Sequence, residues 1–305
     1  MMWLGIDIGG TSAKLLLIDD GFRVGARREV NVRFDGYETP IITTVVQAAQ
    51  AFVKEQACPI AGIGVSATGQ IDLENGVVIG TNGKIPGWEG SELARPLREA
   101  FHVPVCALND ADAAVLAEWI LGNGRGCRDL LMITIGTGVG GGIITNGHLL
   151  TGRRGLAGEL GHVTLYQNGR PCACGKRGCY ESYAAASALR ALYWRSTGLR
   201  KNSKQIFELG AQGDAATLTV LDHWTDDIAA GLSGLVHIFS PERVLIGGGV
   251  CTQEELLIEP VRRKVLSTVM RRFAEDLVIT RAALGNDAGA LGAVCHLRGM
   301  DRKDG

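Results

Sequence analysis

The chain has 305 residues, 46% of them hydrophobic, which suffices for one large domain or two without disulfide cross-links. Lys and Arg number 31 against 32 Asp and Glu, a balance that gives no basic surface for nucleic acid. The start MMWLGID lacks the basic region and apolar stretch of a signal peptide, and no later window is apolar enough to span a membrane. We therefore expect no nucleic-acid or membrane partner, and small neutral or anionic ligands instead.

Two segments have the pattern of a hairpin with a glycine-rich tip. Residues 2–24 form an apolar strand, a tip of Gly9, Gly10 and Thr11, and a second apolar strand. Residues 130–150 repeat this design and end in an Asn-Gly turn. The repeat predicts two lobes related by duplication. The predicted lobes are a small N-terminal lobe, 1–115, joined by the C-terminal helix 286–305, and a large lobe, 116–285.

Strands alternate with helices along the rest of the chain, which predicts an α/β fold. Further strands are expected at 61–69, 76–83 and 243–250. Helices are expected at 41–55, from Asp110, at 182–198, 215–239 and 254–273, and after the cap residues Asn286 and Asp287.

Three glycine-rich turns follow strands and would present backbone N–H groups to phosphate. Asp7, just before the first turn, could hold a hydrated divalent cation, and Lys14 would add positive charge. Neither the dinucleotide fingerprint nor the P-loop motif is present. One such turn alone could be an ordinary hairpin turn, but three together indicate a phosphate site. Besides the first tip, the residues are Gly136, Thr137, Gly138 and Gly140 in the second turn and Gly247, Gly248 and Gly249 in the third.

Four residues within eighteen have the composition of a zinc site: His162, Cys172, Cys174 and Cys179. Three thiolates and an imidazole complete a tetrahedron and leave no position for water, which is typical of a structural ion. The alternative is three buried thiols and an unrelated histidine. Glu159 and Glu181 flank the segment, and metal binding would fix both carboxylates. The other five cysteines are scattered singly, which favours a reducing cytoplasm.

Asn109 and Asp110 stand at the end of an apolar strand and the start of a helix. One interpretation is a helix N-cap. The other is a pair that holds a sugar hydroxyl, with Asp110 accepting its proton as general base. Spacing alone leaves both open.

With these motifs assembled, the chain resembles the ROK family of sugar kinases and sugar-sensing repressors over essentially its whole length. The resemblance implies the two-lobe actin-like ATPase (ribonuclease H-like) fold with an interlobe cleft, structural zinc, Mg²⁺ with ATP, and a homodimer. Trp194 or Trp224 could serve a subunit interface, or both could belong to the core. The similar motifs are DIGGT at 7–11, IGTGVGGG at 135–142, GLAGELGH at 155–162, CACGKRGCYE at 172–181 and LIGGGV at 245–250.

The resemblance also implies roles for single residues. Asp110 matches the catalytic base, which takes the proton of the sugar's 6-hydroxyl as it attacks the γ-phosphate. His162 would bind zinc through one ring nitrogen and face the sugar with the other. The sugar-contacting positions are Asn109, Glu159, His162 and Glu181, with Gly69 and Asn82 in looser motifs.

The function implied is an ATP-dependent hexose 6-kinase. Glucose is the first expected substrate because PGW at 86–88 is similar to the glucokinase-like members, and N-acetylmannosamine or N-acetylglucosamine is the alternative. A sugar-responsive repressor is disfavoured because the first hairpin begins at Trp3 and leaves no room for an N-terminal helix-turn-helix. A kinase-dead sensor is disfavoured because Asp110 and the phosphate turns are intact.

Overall fold

The computed structural model describes residues 1–81, 83 and 85–299. The strands in this part are β1 Met2–Ile8, β2 Ser12–Asp19, β3 Val24–Asn31, β4 Ile60–Ala67, β5 Gln70–Asp72, β6 Val77–Gly80, β7 Val105–Asn109, β8 Leu130–Ile135, β9 Val139–Thr145, β10 His148–Leu149, β11 Arg243–Gly247 and β12 Val278–Arg281. The helices are α1 Ile41–Glu55, α2 Ala94–Phe101, α3 Asp110–Ile120, α4 Glu181–Ala184, α5 Ala186–Thr197, α6 Ser203–Ala211, α7 Ala215–Phe239, α8 Glu259–Thr268, α9 Arg271–Ala274 and α10 Ala288–Leu297.

The chain forms two compact units. The first comprises residues 1–120, 148–157 and 287–305, and the second comprises residues 121–147 and 158–286. Each unit contains a sheet in which an antiparallel hairpin is extended by parallel strands. The orders are β3-β2-β1-β4-β7 in the first unit and β9-β8-β11-β12 in the second.

The first sheet is centred on β1, whose side chains are mostly buried and apolar. β1 pairs antiparallel with β2 and parallel with β4. This register sets Asp7 opposite Lys14 on one side and Ser66 on the other. Polar groups therefore gather near the end of a strand that is otherwise apolar.

Helix α10 packs closely on this sheet because the residues at the contact are small. A Cβ atom at Gly5 would lie 2.6 Å from the carbonyl oxygen of Ala290, and one at Gly64 would overlap the backbone of Ala293. Gly292 of the helix likewise lies against the backbone of Ala113 in α3. The small residues of α10 therefore allow the backbones to approach closely.

Two predicted helices are observed with their predicted bounds, α1 and α7, and two others are interrupted. The predicted helix at 182–198 breaks at Ala185, whose ψ of 156° is extended, and so forms α4 and α5. The predicted helix at 254–273 is broken at Val269, whose ψ of 154° is extended, and so forms α8 and α9. It also begins as a π-helical turn over Glu254–Ile258, just before α8. Pro260 is the physical reason, because it has no N–H to continue the α-helical hydrogen bonds.

The predicted capping role of Asp287 is wrong for its side chain. Asp287 stands at the N-cap of α10 but makes no side-chain cap hydrogen bond. Its carboxylate instead accepts a hydrogen bond of 2.8 Å from Arg27 and lies 3.9 Å from Lys14. Ion pairing with cross-strand cations replaces capping here.

In residues 1–81, 83 and 85–299, no helix combines the length and hydropathy needed to cross a bilayer. All eight cysteines lie within these residues, and none of them forms a disulfide bond.

We predict that Gly64→Ala destabilises the protein by about 2 kcal/mol, because its methyl group would overlap the Ala293 backbone. The midpoint of urea unfolding, followed by far-ultraviolet circular dichroism, measures the effect. Gly234→Ala in α7 is the matched control, since nothing lies within 4 Å of a Cβ there. It should stabilise the helix by up to about 1 kcal/mol. Equal midpoints for the two variants would contradict the packing argument.

Candidate functional site

Four predicted ligands converge in the second unit. One ligand atom from each of His162, Cys172, Cys174 and Cys179 lies within 4.8 Å of the others. The Sγ atoms of Cys174 and Cys179 are 3.6 Å apart, and Cys172 Sγ is 3.6 Å from His162 Nδ1. Thiolates about 2.3 Å from a tetrahedral zinc ion would be about 3.8 Å apart, so these spacings fit zinc.

The thiols of the cluster must lose their protons to bind a cation. Burial, with the neighbouring thiols of Cys174 and Cys172, raises the pKa of Cys179 to about 12. A cation would hold the three sulfurs as thiolates because it stabilises the charge that burial disfavours.

The loop that carries the ligands is shaped by two glycines with positive φ. Gly175 has φ of +86° and lies in a tight turn in which its N–H donates to the carbonyl oxygen of Cys172. Gly178 has φ of +81° and packs so closely on Tyr166 that a Cβ atom would overlap the Tyr166 carbonyl. Both positions therefore favour glycine, the residue that adopts positive φ without a steric cost.

The same loop is anchored to α7 by two tyrosines. The hydroxyl of buried Tyr180 donates to the carbonyl oxygen of Ile228 at 2.8 Å. The hydroxyl of Tyr166 donates to Asp227 at 2.7 Å. These two hydrogen bonds join the ligand loop to α7 and so fix the ligand positions relative to that helix.

Each of the two flanking glutamates contacts one of the metal ligands, Glu159 beside His162 and Glu181 Oε1 3.9 Å from Cys172 Sγ. The His162 ring turns Nδ1 toward Cys172, and its Nε2 lies 3.9 Å from Glu159 Oε2. One ring nitrogen therefore faces the ligand cluster and the other faces a carboxylate. Glu181 Oε2 accepts the backbone N–H of Val139 at 3.0 Å, at the second glycine turn.

Glycines in the second hairpin serve packing as well as the turn. A side chain at Gly138 would overlap the Glu181 carboxylate, and one at Gly141 would overlap Leu160. Gly161 in turn lies against the Val139 carbonyl. The short 3₁₀ turn Leu160–His162 therefore packs directly on β9. The sequence pattern predicted phosphate binding for this glycine-rich turn and did not indicate the packing role of Gly141.

The third turn lies beside the second because β11 runs parallel to β8, with Gly247 opposite Thr134. Gly248 has φ of +89°, and a Cβ atom there would overlap the backbone of Ile135. Nothing lies within 4 Å of a Cβ built on Gly249. The backbone of both turns thus projects from the same carboxyl edge of the sheet, the edge where α/β proteins bind ligands.

The first turn, in the first unit, is supported by hydrogen bonds to its carbonyl groups. Tyr37 donates its hydroxyl to the Gly10 carbonyl at 2.6 Å, and the Val32 N–H donates to the Thr11 carbonyl at 3.0 Å. The Gly9 N–H donates to the Ser12 carbonyl oxygen at 2.9 Å and closes the hairpin. The tip is therefore a rigid turn.

Asp7, before the first turn, is held by a residue that sequence inspection missed. The hydroxyl of fully buried Ser66 donates to Asp7 Oδ1 at 2.8 Å. Burial raises the pKa of Asp7, while the Ser66 hydrogen bond and the charge of Lys14 act in the opposite direction. A Cβ atom at Gly289 would lie 2.8 Å from the same carboxylate. An oriented carboxylate of this kind is a suitable oxygen ligand for Mg²⁺.

Asn109 caps α3 and also fixes a neighbouring loop. Its Oδ1 accepts the Ala111 N–H at 2.8 Å, and its amide donates to the Gly69 carbonyl at 2.8 Å. Gly69 has φ of +103°, and the indole of Trp88 donates to the adjacent Thr68 carbonyl at 2.8 Å. Trp88 belongs to the PGW motif, which is therefore a support of this loop.

Asp110 follows Asn109 and begins α3. Its side chain is exposed, and Oδ1 accepts the N–H of Ala111 at 2.9 Å. The capping interpretation thus holds for Asn109 and leaves Asp110 accessible from solvent. The structure brings Gly69 and Asn109 together beside Asp110, and the predicted Asn82 lies outside the described residues.

Comparison with known proteins places the chain among sugar kinases. The ROK family model matches residues 3–299. The chain is 34% identical to a glucokinase of Thermotoga maritima over 309 residues, covering 97% of this chain and 96% of the relative. The chain is 29% identical to an N-acetylmannosamine kinase of Haemophilus influenzae, and the match covers 100% of this chain and 99% of the relative.

Two solved structures share the fold over nearly all of both chains. A ROK hexokinase from Thermus thermophilus has a TM-score of 0.82 at 34% identity, covering 99% of this chain and 100% of its own. A ROK family glucokinase from Streptomyces griseus, in complex with glucose and AMPPNP, has a TM-score of 0.82 at 29% identity, covering 98% and 100%.

We predict that protein produced with Co²⁺ binds about one cobalt ion per chain and shows the charge-transfer and d–d absorption of a tetrahedral thiolate site. Cys174→Ser should remove most of the thiolate absorption. Cys58→Ser, at a cysteine outside the cluster, is the control and should leave the spectrum unchanged. An octahedral spectrum in the unmodified protein would contradict the assignment of the four ligands.

Proposed function

This chain belongs to the ROK family and has the actin-like ATPase fold of its sugar kinases, and on that premise we propose that it transfers the γ-phosphoryl group of ATP to the 6-hydroxyl of a hexose. The predicted family, the predicted fold and the predicted class of enzyme, a hexokinase-type sugar kinase, are confirmed. The observation that carries the proposed mechanism is the exposed Asp110 carboxylate at the start of α3, beside Asn109.

Asp110 is the proposed general base. Its carboxylate accepts the proton as the 6-oxygen forms a bond to the γ-phosphorus and the bond from that phosphorus to the β,γ-bridging oxygen breaks. In a loose transition state the hydroxyl proton leaves late, so a carboxylate of ordinary basicity suffices. The Ala111 N–H holds Oδ1 at 2.9 Å and so orients the carboxylate.

The proposed sugar contacts in the first unit are Gly69 and Asn109, held together by their hydrogen bond. Asn82, outside the described residues, is a further predicted contact. In the second unit the proposed contacts are Glu159, His162 and Glu181. Zinc at the Cys₃His cluster, when bound, would fix this loop as a structural ion and supply no step of the reaction. His162 would then bind zinc through Nδ1 and present Nε2 to the sugar, as its ring orientation supports.

The three glycine turns are the proposed nucleotide contacts, together with Lys14. Their N–H groups would bind phosphate oxygens. The uncrowded backbone at Gly249 would leave room for the adenosine part of ATP. Asp7 would hold Mg²⁺, directly or through water, and Mg²⁺ when bound supplies charge neutralisation of the phosphates. The Ser66 hydrogen bond keeps the Asp7 carboxylate oriented for this role.

Glucose is the proposed substrate, since the Thermotoga maritima relative is a glucokinase and the Streptomyces griseus protein was solved with glucose. N-acetylmannosamine is the second candidate, because a kinase for that sugar matches this chain over its full length. A cytoplasmic homodimer is part of the same proposal. Trp224 is fully buried, so Trp194, 48% exposed, is the tryptophan available to a subunit interface.

We predict that Asp110→Asn lowers kcat by a factor of about 10²–10⁴ and leaves the sugar Kd nearly unchanged, because the amide still forms hydrogen bonds but takes no proton. Steady-state kinetics and calorimetric sugar binding measure the two effects. Asp214→Asn, at the N-cap of α7, is the control and should retain full activity because asparagine also caps a helix. Retained kcat in Asp110→Asn would refute the base assignment.

We predict that an ADP-release screen over glucose, mannose, fructose, allose, N-acetylglucosamine and N-acetylmannosamine ranks glucose first in kcat/KM, the ratio that measures discrimination. A higher ratio for N-acetylmannosamine would replace glucose by the second candidate. Absence of sugar-dependent ADP release for all six sugars, with Mg²⁺ and Zn²⁺ supplied, would refute the kinase proposal.

A further inference from the structure

The seven residues 181–187 follow the metal loop, residues 162–179, and make four contacts with the second glycine turn and with Val139 directly after it. We call residues 181–187 the linking segment and Gly136–Thr137–Gly138 the second turn. The first contact is the Glu181 carboxylate, which accepts the Val139 N–H at 3.0 Å. The segment begins only two residues after the last metal ligand, so the loop and the turn are connected by a short, ordered stretch.

Two further contacts fix the carbonyl groups of the turn. The Ala186 N–H donates to the Gly136 carbonyl at 3.0 Å, and the Ser187 hydroxyl donates to the Thr137 carbonyl at 2.9 Å. The Gly138 carbonyl accepts the Gly136 N–H at 2.9 Å within the turn. All three carbonyl oxygens of the turn therefore accept hydrogen bonds from the protein. The N–H groups of Thr137 and Gly138 take no part in these hydrogen bonds.

The fourth contact is steric. Glu181 occupies the space that a Cβ atom on Gly138 would take, so the carboxylate lies directly against the turn. The first turn shows the same arrangement of backbone, since its Gly10 and Thr11 carbonyls are bound by Tyr37 and Val32. Fixing the carbonyl side of a peptide orients its neighbouring N–H groups, which are the groups that bind phosphate.

We propose that the linking segment positions the second turn for the nucleotide phosphates, with Ser187 as its positioning residue, so that the metal loop controls nucleotide affinity as well as sugar affinity. Metal binding orders residues 172–179, the order extends through Glu181 to Ser187, and these residues set the conformation of Gly136–Gly138. This inference rests on the proposed function, because it assigns the second turn to ATP.

The experiment compares Ser187→Ala with Ser187→Thr, which keeps the hydroxyl, and with Thr197→Ala. Thr197 is the matched control because its hydroxyl also donates to a carbonyl in α5, that of Tyr193 at 2.8 Å, at the end remote in sequence from the turn. Calorimetry gives the Kd of Mg²⁺-AMPPNP in the sugar-free, zinc-loaded protein and, separately, the Kd of glucose. Zinc content is measured for each variant.

Ser187→Ala should weaken Mg²⁺-AMPPNP binding about fivefold, the factor given by one hydrogen bond of about 1 kcal/mol. The glucose Kd and zinc content should stay unchanged. Ser187→Thr and Thr197→Ala should bind AMPPNP as the unmodified protein does. AMPPNP affinity in Ser187→Ala equal to that of Thr197→Ala would overturn the positioning role.

Removing zinc from the unmodified protein with a chelator tests the coupling to metal. The Kd of Mg²⁺-AMPPNP should rise and should return to its first value when Zn²⁺ is restored. Unchanged AMPPNP affinity together with weaker glucose binding would overturn the coupling and leave the proposed kinase function intact. Failure of the zinc-loaded protein to bind AMPPNP at all would overturn both.

Discussion

The second unit depends on a close contact between the β8–β9 hairpin and the residues on either side of the metal loop, Leu160 and Glu181. Glu181 accepts the Val139 N–H, while Gly138 and Gly141 leave space for Glu181 and Leu160. Backbone approaches of this kind tolerate no Cβ atom, because protein interiors are packed too tightly to absorb one. The glycines of the hairpin are therefore required twice, for the turn itself and for the loop that packs on it.

The first unit also orients an acidic side chain next to a glycine-rich turn, and it does so without the metal loop. Ser66 and Asp7 are neighbours in register on parallel strands, and the Ser66 hydroxyl orients the carboxylate. Gly289 of α10 leaves room for that carboxylate. Each unit thus combines an antiparallel hairpin, a glycine-rich tip and one acidic side chain whose orientation is set by a buried neighbour.

Sequence patterns predicted those parts of the site whose chemistry depends on residue type and spacing. The cysteines and histidine lie close together as their spacing indicated, and Asp110 begins a helix after a strand as its context indicated. The bounds of α1 and α7 followed from apolar periodicity over many residues. The break at Ala185 did not, because tertiary contacts decide the local backbone there. The π-helical turn before Pro260 was missed although its cause, a proline, is visible in the sequence.

The sequence by itself determined the family, the fold class and the identity of the candidate ligands and base, because each depends on local residue order. Only the tertiary structure decided that Ser66 holds Asp7, that Ser187 holds the second turn and that Asp287 pairs with Arg27 instead of capping its helix. Those partners are separated by 59, 50 and 260 residues in the chain. Register between strands and the packing of helices bring them together, and no local pattern encodes such distances.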